Sequence, residues 1–154
     1  MLASTVQRVP AHTSDAVNER ILRNIEKTIA QYVHAGDKAI GRRLDELDRE
    51  WDIERALEAN ASTACLVGLT LGATVDRKWF VFPAIVATFL LQHALQGWCP
   101  PLPVMRRLGF RTAAEIDYER YALKALRGDF NQVGSGKATT NGQTASRALA
   151  AARR

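Results

Sequence analysis

The residue best suited to chemistry is Cys99, which stands in the sequence Gly-Trp-Cys-Pro-Pro at positions 97–101. A cysteine thiol reacts as a nucleophile, or carries an acyl chain, when its surroundings favour the thiolate. His93 lies six positions earlier and is the nearby candidate for a base. These two side chains are too few to bind a metal ion, so we predict no metal site. The sequence leaves two interpretations open for Cys99: a reactive thiol, or an inert residue packed at a turn.

The usual sequence patterns of catalysis are missing from this chain. It has no glycine-rich phosphate loop, no C-x-x-C, no H-E-x-x-H and no G-x-S-x-G. The second cysteine, Cys65, is interpreted as a small residue on a helix face. The basic C-terminal part has no interleaved aromatic residues, so nucleic acid is not a predicted partner. We therefore expect no enzymatic activity and no cofactor.

The elements that would position Cys99 are indicated by the distribution of charge. Residues 59–97 contain three charged side chains, Asp76, Arg77 and Lys78, whereas both flanks are rich in charge. A long charge-depleted centre between charged ends is typical of a membrane protein. The sequence therefore predicts an all-α membrane protein.

Two uncharged runs at 59–105 predict a transmembrane hairpin with helices at about 59–75 and 79–98. The first run would span roughly 26 Å and is diluted by polar residues. In the second, Trp79 and Trp98 are about 28 Å apart along a helix. This distance would place a tryptophan at each interface of the bilayer.

A stripe of small residues follows one face of the first predicted span, at Ala64, Gly68 and Gly72. Spacing of this kind lets two helix backbones approach closely in lipid. The stripe predicts a helix–helix contact, either within the hairpin or between two copies of the chain.

Residues before the hairpin are predicted to be a disordered segment at 1–13 and two amphipathic helices at 14–58. Apolar residues recur every three or four positions in both helices, the second of which runs from Asp37 to about Glu58. Its apolar stripe consists of Ile40, Leu44, Leu47 and Trp51.

Residues after the hairpin are predicted to form one short helix and a tail. Thr112 and Glu115 match the capping-box pattern T-x-x-E and open a helix at 112–128. From 131 to 154 the composition indicates a disordered basic tail, with a transient helix at its alanine-rich end.

The stretches 51–61 and 90–109, together with the two apolar runs, are similar to a known family. They resemble the bacterial inner-membrane hairpin proteins related to the transmembrane domain of YgaP-type rhodanese proteins, over roughly residues 50–130. The most telling residues of this resemblance are Gly97, Cys99, Pro100, Leu108 and Gly109. It implies an inner-membrane hairpin that associates into dimers and has no activity of its own. Members often have a further cysteine after the Leu-Gly pair, which this chain lacks.

The distribution of Lys and Arg predicts that both termini are cytoplasmic, because basic residues flank the hairpin in greater number than they occur in its loop. The expected partners are the lipid bilayer, a second copy of the chain and a cytoplasmic protein. The leading functional prediction is a self-associating scaffold or interaction module in the bacterial inner membrane. One alternative is a thiol-dependent carrier of sulfur or acyl groups that uses Cys99 with His93. The other is a soluble helical bundle.

Overall fold

The computed structural model describes residues 4–131, 133 and 141–153, and the described chain is helical with no β-strand. This confirms the all-α prediction. The α-helices are α1 Asp15–Tyr32, α2 Asp37–Arg49, α3 Ile53–Thr74, α4 Val81–Gln96, α5 Leu102–Leu108, α6 Ala113–Arg127 and α7 Asn141–Arg153.

The chain divides into two compact units. Unit 1 consists of Met1–Leu22 and Trp51–Glu115, and unit 2 consists of Arg23–Glu50 and Ile116–Arg154. Each unit has its own apolar core. The core of unit 1 comprises Val9, Ile53, Leu57, Cys99 and Leu102, and that of unit 2 comprises Ile40, Leu44, Leu47, Ile116 and Leu123.

The beginning of α3 differs from the predicted boundary at residue 58. The Asp52 side chain accepts a hydrogen bond from the Arg55 amide at 2.7 Å, and this cap starts a new helix at Ile53. The predicted second helix therefore ends early, at Arg49. Trp51 leaves the predicted apolar stripe and lies exposed, with the Arg55 guanidinium 4.5 Å from its ring centroid.

The turn between α3 and α4 consists of a short 3₁₀ helix, Arg77–Phe80, which Asp76 caps through the Lys78 amide at 2.8 Å. The second helix of the hairpin is shorter than predicted. It ends at Gln96 because Gly97 adopts a left-handed conformation, with φ of 80°. The distance between Trp79 and Trp98 was calculated for one continuous helix, and that assumption is wrong.

The sequence after α4 contains a helix that was not predicted. Pro101 and Pro103 stand at the start of α5, where proline needs no amide donor and is tolerated. Gly109 ends α5 in the left-handed conformation. The next helix, α6, is the predicted one. Its capping box is confirmed by hydrogen bonds in both directions between Thr112 and Glu115.

Both predicted disordered ends contain ordered structure among the described residues. Residues 4–13 form turns and a 3₁₀ helix, because Val9 is buried in the core of unit 1. In unit 2, α7 occupies 141–153, where Ala151 is buried and the Lys124 ammonium donates to the Ala152 carbonyl at 2.7 Å. Residues 1–3, 132, 134–140 and 154 of these segments lie outside the described residues.

Candidate functional site

A cluster of four side chains in unit 1 contains both Cys99 and His93. We call it the His93 cluster; its members are Arg8, Glu54, His93 and Cys99. His93 Nε2 is 2.7 Å from Glu54 Oε2, and the Arg8 guanidinium donates to Glu54 Oε1 at 2.9 Å. His93 and Cys99 are both buried, and the thiol interacts with the imidazole ring.

The carboxylate of Glu54 determines which tautomer a neutral His93 ring adopts. The hydrogen bond with His93 and the charge of Arg8 lower the pKa of Glu54 below its usual value, although burial opposes them. Glu54 is therefore ionised at neutral pH and can only accept hydrogen bonds. When His93 is neutral, Nε2 carries the proton and the lone pair is on Nδ1; the Glu54 carboxylate favours the protonated ring, in which both nitrogens carry a proton.

Two atoms of this cluster are buried without a hydrogen-bond partner, Nε of Arg8 and the second ring nitrogen of His93. Nδ1 is buried and has no hydrogen-bond partner with acceptable geometry. Most buried polar atoms in proteins are paired, and an unpaired one carries a free-energy cost. An unpaired basic nitrogen beside a thiol is suited to accept the proton of that thiol.

The turn after α4 returns Cys99 towards the first residues of the chain. At Gly97 a Cβ atom would lie 2.5 Å from the Arg8 carbonyl oxygen, so only glycine allows this approach. The Arg8 guanidinium also donates to the Ala94 carbonyl at 2.9 Å. The N-terminal segment therefore packs against the end of α4 and brings a cation to the cluster.

Cys99, His93 and Glu54 together have the composition of a nucleophile, a base and a group that orients the base. The alternative is that all three serve packing, since Cys99 also belongs to the apolar core of unit 1. Packing accounts for the burial of the thiol but does not require the unpaired nitrogen beside it.

A second buried polar cluster in unit 1 has a different character. This Arg106 cluster is centred on a guanidinium that makes two hydrogen bonds of 2.7 Å to the Glu115 carboxylate. Arg106 also donates to the Thr13 hydroxyl, the Asn18 amide oxygen and the Phe110 carbonyl. Burial alone would raise the pKa of Glu115, but the hydrogen bonds from Arg106 and Thr112 lower it. Every donor of this arginine is used, so the cluster is structural.

The stripe of small residues contacts the second helix of the same hairpin. A Cβ atom at Gly68 would lie 2.7 Å from Pro83 Cδ, and one at Gly72 would lie 2.7 Å from the Phe80 ring. Ala64 lines a groove between α3 and α4. Within the chain, Gly68 and Gly72 therefore lie against residues of the same hairpin.

The two predicted interface tryptophans are in different surroundings. Trp79 is exposed in the 3₁₀ turn. Trp98 is half-buried, lies beyond the end of α4 and packs against the core of unit 1. Anchoring at a membrane interface stays a prediction for both residues.

Two members of the His93 cluster, Arg8 and Glu54, were missed by the sequence reasoning. Arg8 belongs to the segment predicted to be disordered, and Glu54 is 39 positions from its partner His93. No local sequence signal connects such distant residues. Within the described ranges, no group of three His, Cys, Asp or Glu side chains has the arrangement of metal ligands.

Comparisons with protein-family models, with curated proteins and with solved structures found no match to this chain. The similarity to the inner-membrane hairpin family therefore stays a prediction, and the function is argued from the chain itself.

Proposed function

We propose that this chain is an integral membrane protein whose α3–α4 hairpin lies in the bilayer. The observation that carries the proposal is the segment Arg77–Gln96, whose most apolar 18-residue window has a mean hydropathy of 1.4 and is only 11% buried within the chain. A core helix of a water-soluble protein would bury most of such a surface. Lipid removes this apolar surface from water, and a helix can enter it because its backbone hydrogen bonds are made within the helix.

The first helix of the hairpin also presents apolar side chains outward. Leu66, Val67 and Leu69 of α3 are exposed, while Gly68 and Gly72 contact the other helix. Of the described helices, only the segment Arg77–Gln96 is long and apolar enough to span a membrane by itself. We propose that α3 spans it as the partner of α4, because close packing of two helices supports a weakly apolar one.

The proposed role is an interaction module of a bacterial inner membrane, with both termini in the cytoplasm and a cytoplasmic protein as partner. The distribution of basic residues supports this orientation. The small-residue stripe no longer supports self-association, because the hairpin itself occupies it. Self-association and kinship with the hairpin family remain predictions.

Alkaline carbonate extraction of membranes tests insertion. We expect the chain to stay in the membrane pellet and to enter solution only with detergent. Release by carbonate alone would contradict the proposal and favour the soluble helical bundle.

Labelling of single cysteines tests topology, in a background where Cys65 and Cys99 are replaced by serine. Val75→Cys lies at the hairpin turn and Glu26→Cys lies in α1, and both positions are exposed. A membrane-impermeant maleimide should label the first in intact cells and the second only after permeabilisation. Equal protection of both positions in intact cells would show that the turn does not cross.

A thiol-dependent function is the second candidate, and one observation favours it: the unpaired Nδ1 of His93 beside the Cys99 thiol. A base in contact with a thiol increases its thiolate character. We expect Cys99 in the native protein to react with iodoacetamide at neutral pH faster than free cysteine does, and His93→Gln to abolish the difference. A Cys99 that reacts no faster than free cysteine removes this candidate.

A further inference from the structure

An apolar groove between α3 and α4 includes Cys99 in its wall. The groove has a volume of about 280 Å³ and is lined by both helices and by the segment 99–101. Its walls are apolar residues such as Ala64, Phe82 and Phe89, and its polar lining residue is Asn60. This volume is close to the lower end of the range for small-molecule sites, about 300–1,000 Å³. The groove therefore suits a slender apolar ligand.

A smaller cavity, with ionisable side chains in its wall, adjoins this groove. It measures about 140 Å³ and is lined by Arg8, Glu54 and His93 among others. Leu57 and Leu90 line both cavities, so the two spaces share a wall. Cys99 lines the apolar groove, and His93 lines the smaller cavity. The arrangement fits an amphiphile whose apolar chain and polar head meet near the thiol.

We infer that Cys99 accepts an acyl group from a long-chain acyl thioester, with the acyl chain held in the α3–α4 groove. This inference names the substrate class for the thiol function proposed above and rests on it. It does not depend on which way the hairpin crosses the membrane.

The reaction is an exchange of one thioester for another. His93 Nδ1 takes the proton of the Cys99 thiol, and Sγ attacks the carbonyl carbon of the donor. The tetrahedral intermediate collapses with loss of the donor thiolate, which receives the proton from His93. The products are a Cys99 thioester and a free thiol, and nothing is oxidised or reduced. The Glu54 carboxylate holds the ring through Nε2 and stabilises the imidazolium.

The groove is the reason to choose an acyl group over a sulfur atom. Transfer of sulfur to a thiol requires the cysteine and a base but no apolar surface. A thiol in the wall of a space between Phe82 and Phe89 places an attached chain directly among apolar side chains.

The test incubates the full-length protein in detergent micelles with palmitoyl-CoA or, separately, with acetyl-CoA. Intact-mass spectrometry and peptide mapping follow the acyl group. We expect palmitoylation of Cys99 that hydroxylamine reverses, at least about tenfold faster than acetylation. Cys99→Ser should abolish it, and Cys65→Ser should leave it unchanged. Labelling of Cys65 instead, or equal rates with both donors, would overturn the inference.

A pair of variants in α3 tests the groove itself. Ala64→Leu narrows the groove and should lower the ratio of palmitoyl to acetyl transfer several-fold. Ala73→Leu adds the same volume at an exposed position outside the groove and should leave the ratio unchanged. The same ratio in both variants would show that the groove does not hold the chain.

The base is tested with His93→Gln, which should slow palmitoyl transfer on the order of 10². If this variant does not fold, the preference of the native protein for the long donor still decides the inference. Iodoacetamide separates the two proposals. Fast alkylation of Cys99 without acyl transfer would contradict the acyl inference alone, whereas slow alkylation would contradict the thiol function as well.

Discussion

The two buried polar clusters of unit 1 differ in how completely their hydrogen bonds are satisfied. In the Arg106 cluster the guanidinium uses all of its donor directions on Glu115, Thr13, Asn18 and a carbonyl. In the His93 cluster one ring nitrogen has a carboxylate and the other has no hydrogen-bond partner. A fully satisfied network holds chain segments together. An incompletely satisfied one keeps an atom available for a reaction, and the predictions below test that distinction.

The largest effect is expected from Arg106→Met. The substitution leaves the Glu115 carboxylate, which is 20% exposed, without its cation, and we expect a cost of about 3 kcal/mol of unfolding free energy, the lower end for a buried pair. Chemical unfolding in detergent micelles, followed by circular dichroism, measures it. Arg107→Met is the matched control, because Arg107 is exposed, and should change stability by less than about 0.5 kcal/mol. Equal effects of the two substitutions would show that the Arg106 cluster is not structural.

His93→Gln should cost less than Arg106→Met. It removes one hydrogen bond to a charged group, worth about 1.5–3 kcal/mol, and also removes the unpaired Nδ1, whose burial was unfavourable. We expect a net loss below about 2 kcal/mol in the same unfolding experiment. A loss as large as that of Arg106→Met would mean that the His93 cluster is also structural, and the comparison would fail.

Acid should weaken both clusters through their carboxylates. The folded-state pKa values of Glu54 and Glu115 lie below the ordinary value of 4.5, so both groups stabilise the fold above that pH. This contribution disappears as the pH falls through the lowered pKa values. In measurements from pH 7 to pH 3, the melting temperature should therefore decrease once the pH is below 4.5.

The variant Glu115→Gln sharpens the acid experiment. Its melting temperature should be lower at pH 7 and should decrease less steeply in acid. The reason is that one of the two carboxylates whose ionisation stabilises the fold is absent. Glu26→Gln, at an exposed position of α1, serves as the matched control and should keep the native slope. An unchanged slope in Glu115→Gln would assign the acid sensitivity to other groups.

The smallest effect is expected from Arg8→Met. The ion pair of Arg8 with Glu54 is partly exposed, and such pairs contribute about 0–1 kcal/mol. The unfolding free energy should change by no more than that. Arg8→Lys keeps the positive charge and separates a loss of charge from a loss of geometry. A cost above 2 kcal/mol for both variants would place Arg8 with the structural residues.

The sequence predicted those helix boundaries whose interacting residues all lie within one short segment. The capping box at Thr112 and Glu115 is one example, since all its atoms lie within four residues. The helix α5 was missed because three prolines were interpreted only as a break. The boundary at Asp52 was missed because the apolar spacing of the predicted stripe continues through Trp51.

The candidate site shows a different limit. Cys99 and His93 were predicted together because six positions separate them, and the structure brings them into one cluster. Glu54 and Arg8 reach this cluster from other helices and segments, through contacts that depend on the fold. The choice between a contact within the hairpin and one between copies also required coordinates, because Gly68 and Gly72 are compatible with either.

The contact of Gly97 with the Arg8 backbone has a consequence for biosynthesis. The Arg8 guanidinium pairs with the carbonyl of Ala94, 86 positions later in the chain. At about 5–20 residues per second, the ribosome needs roughly 4–17 s to make the segment between them. During that interval Val9 lacks its apolar neighbours at Cys99 and Leu102. Arg8 and Val9 are therefore made well before their partners and are among the last residues of unit 1 to reach their place, so a chaperone could bind them in the meantime.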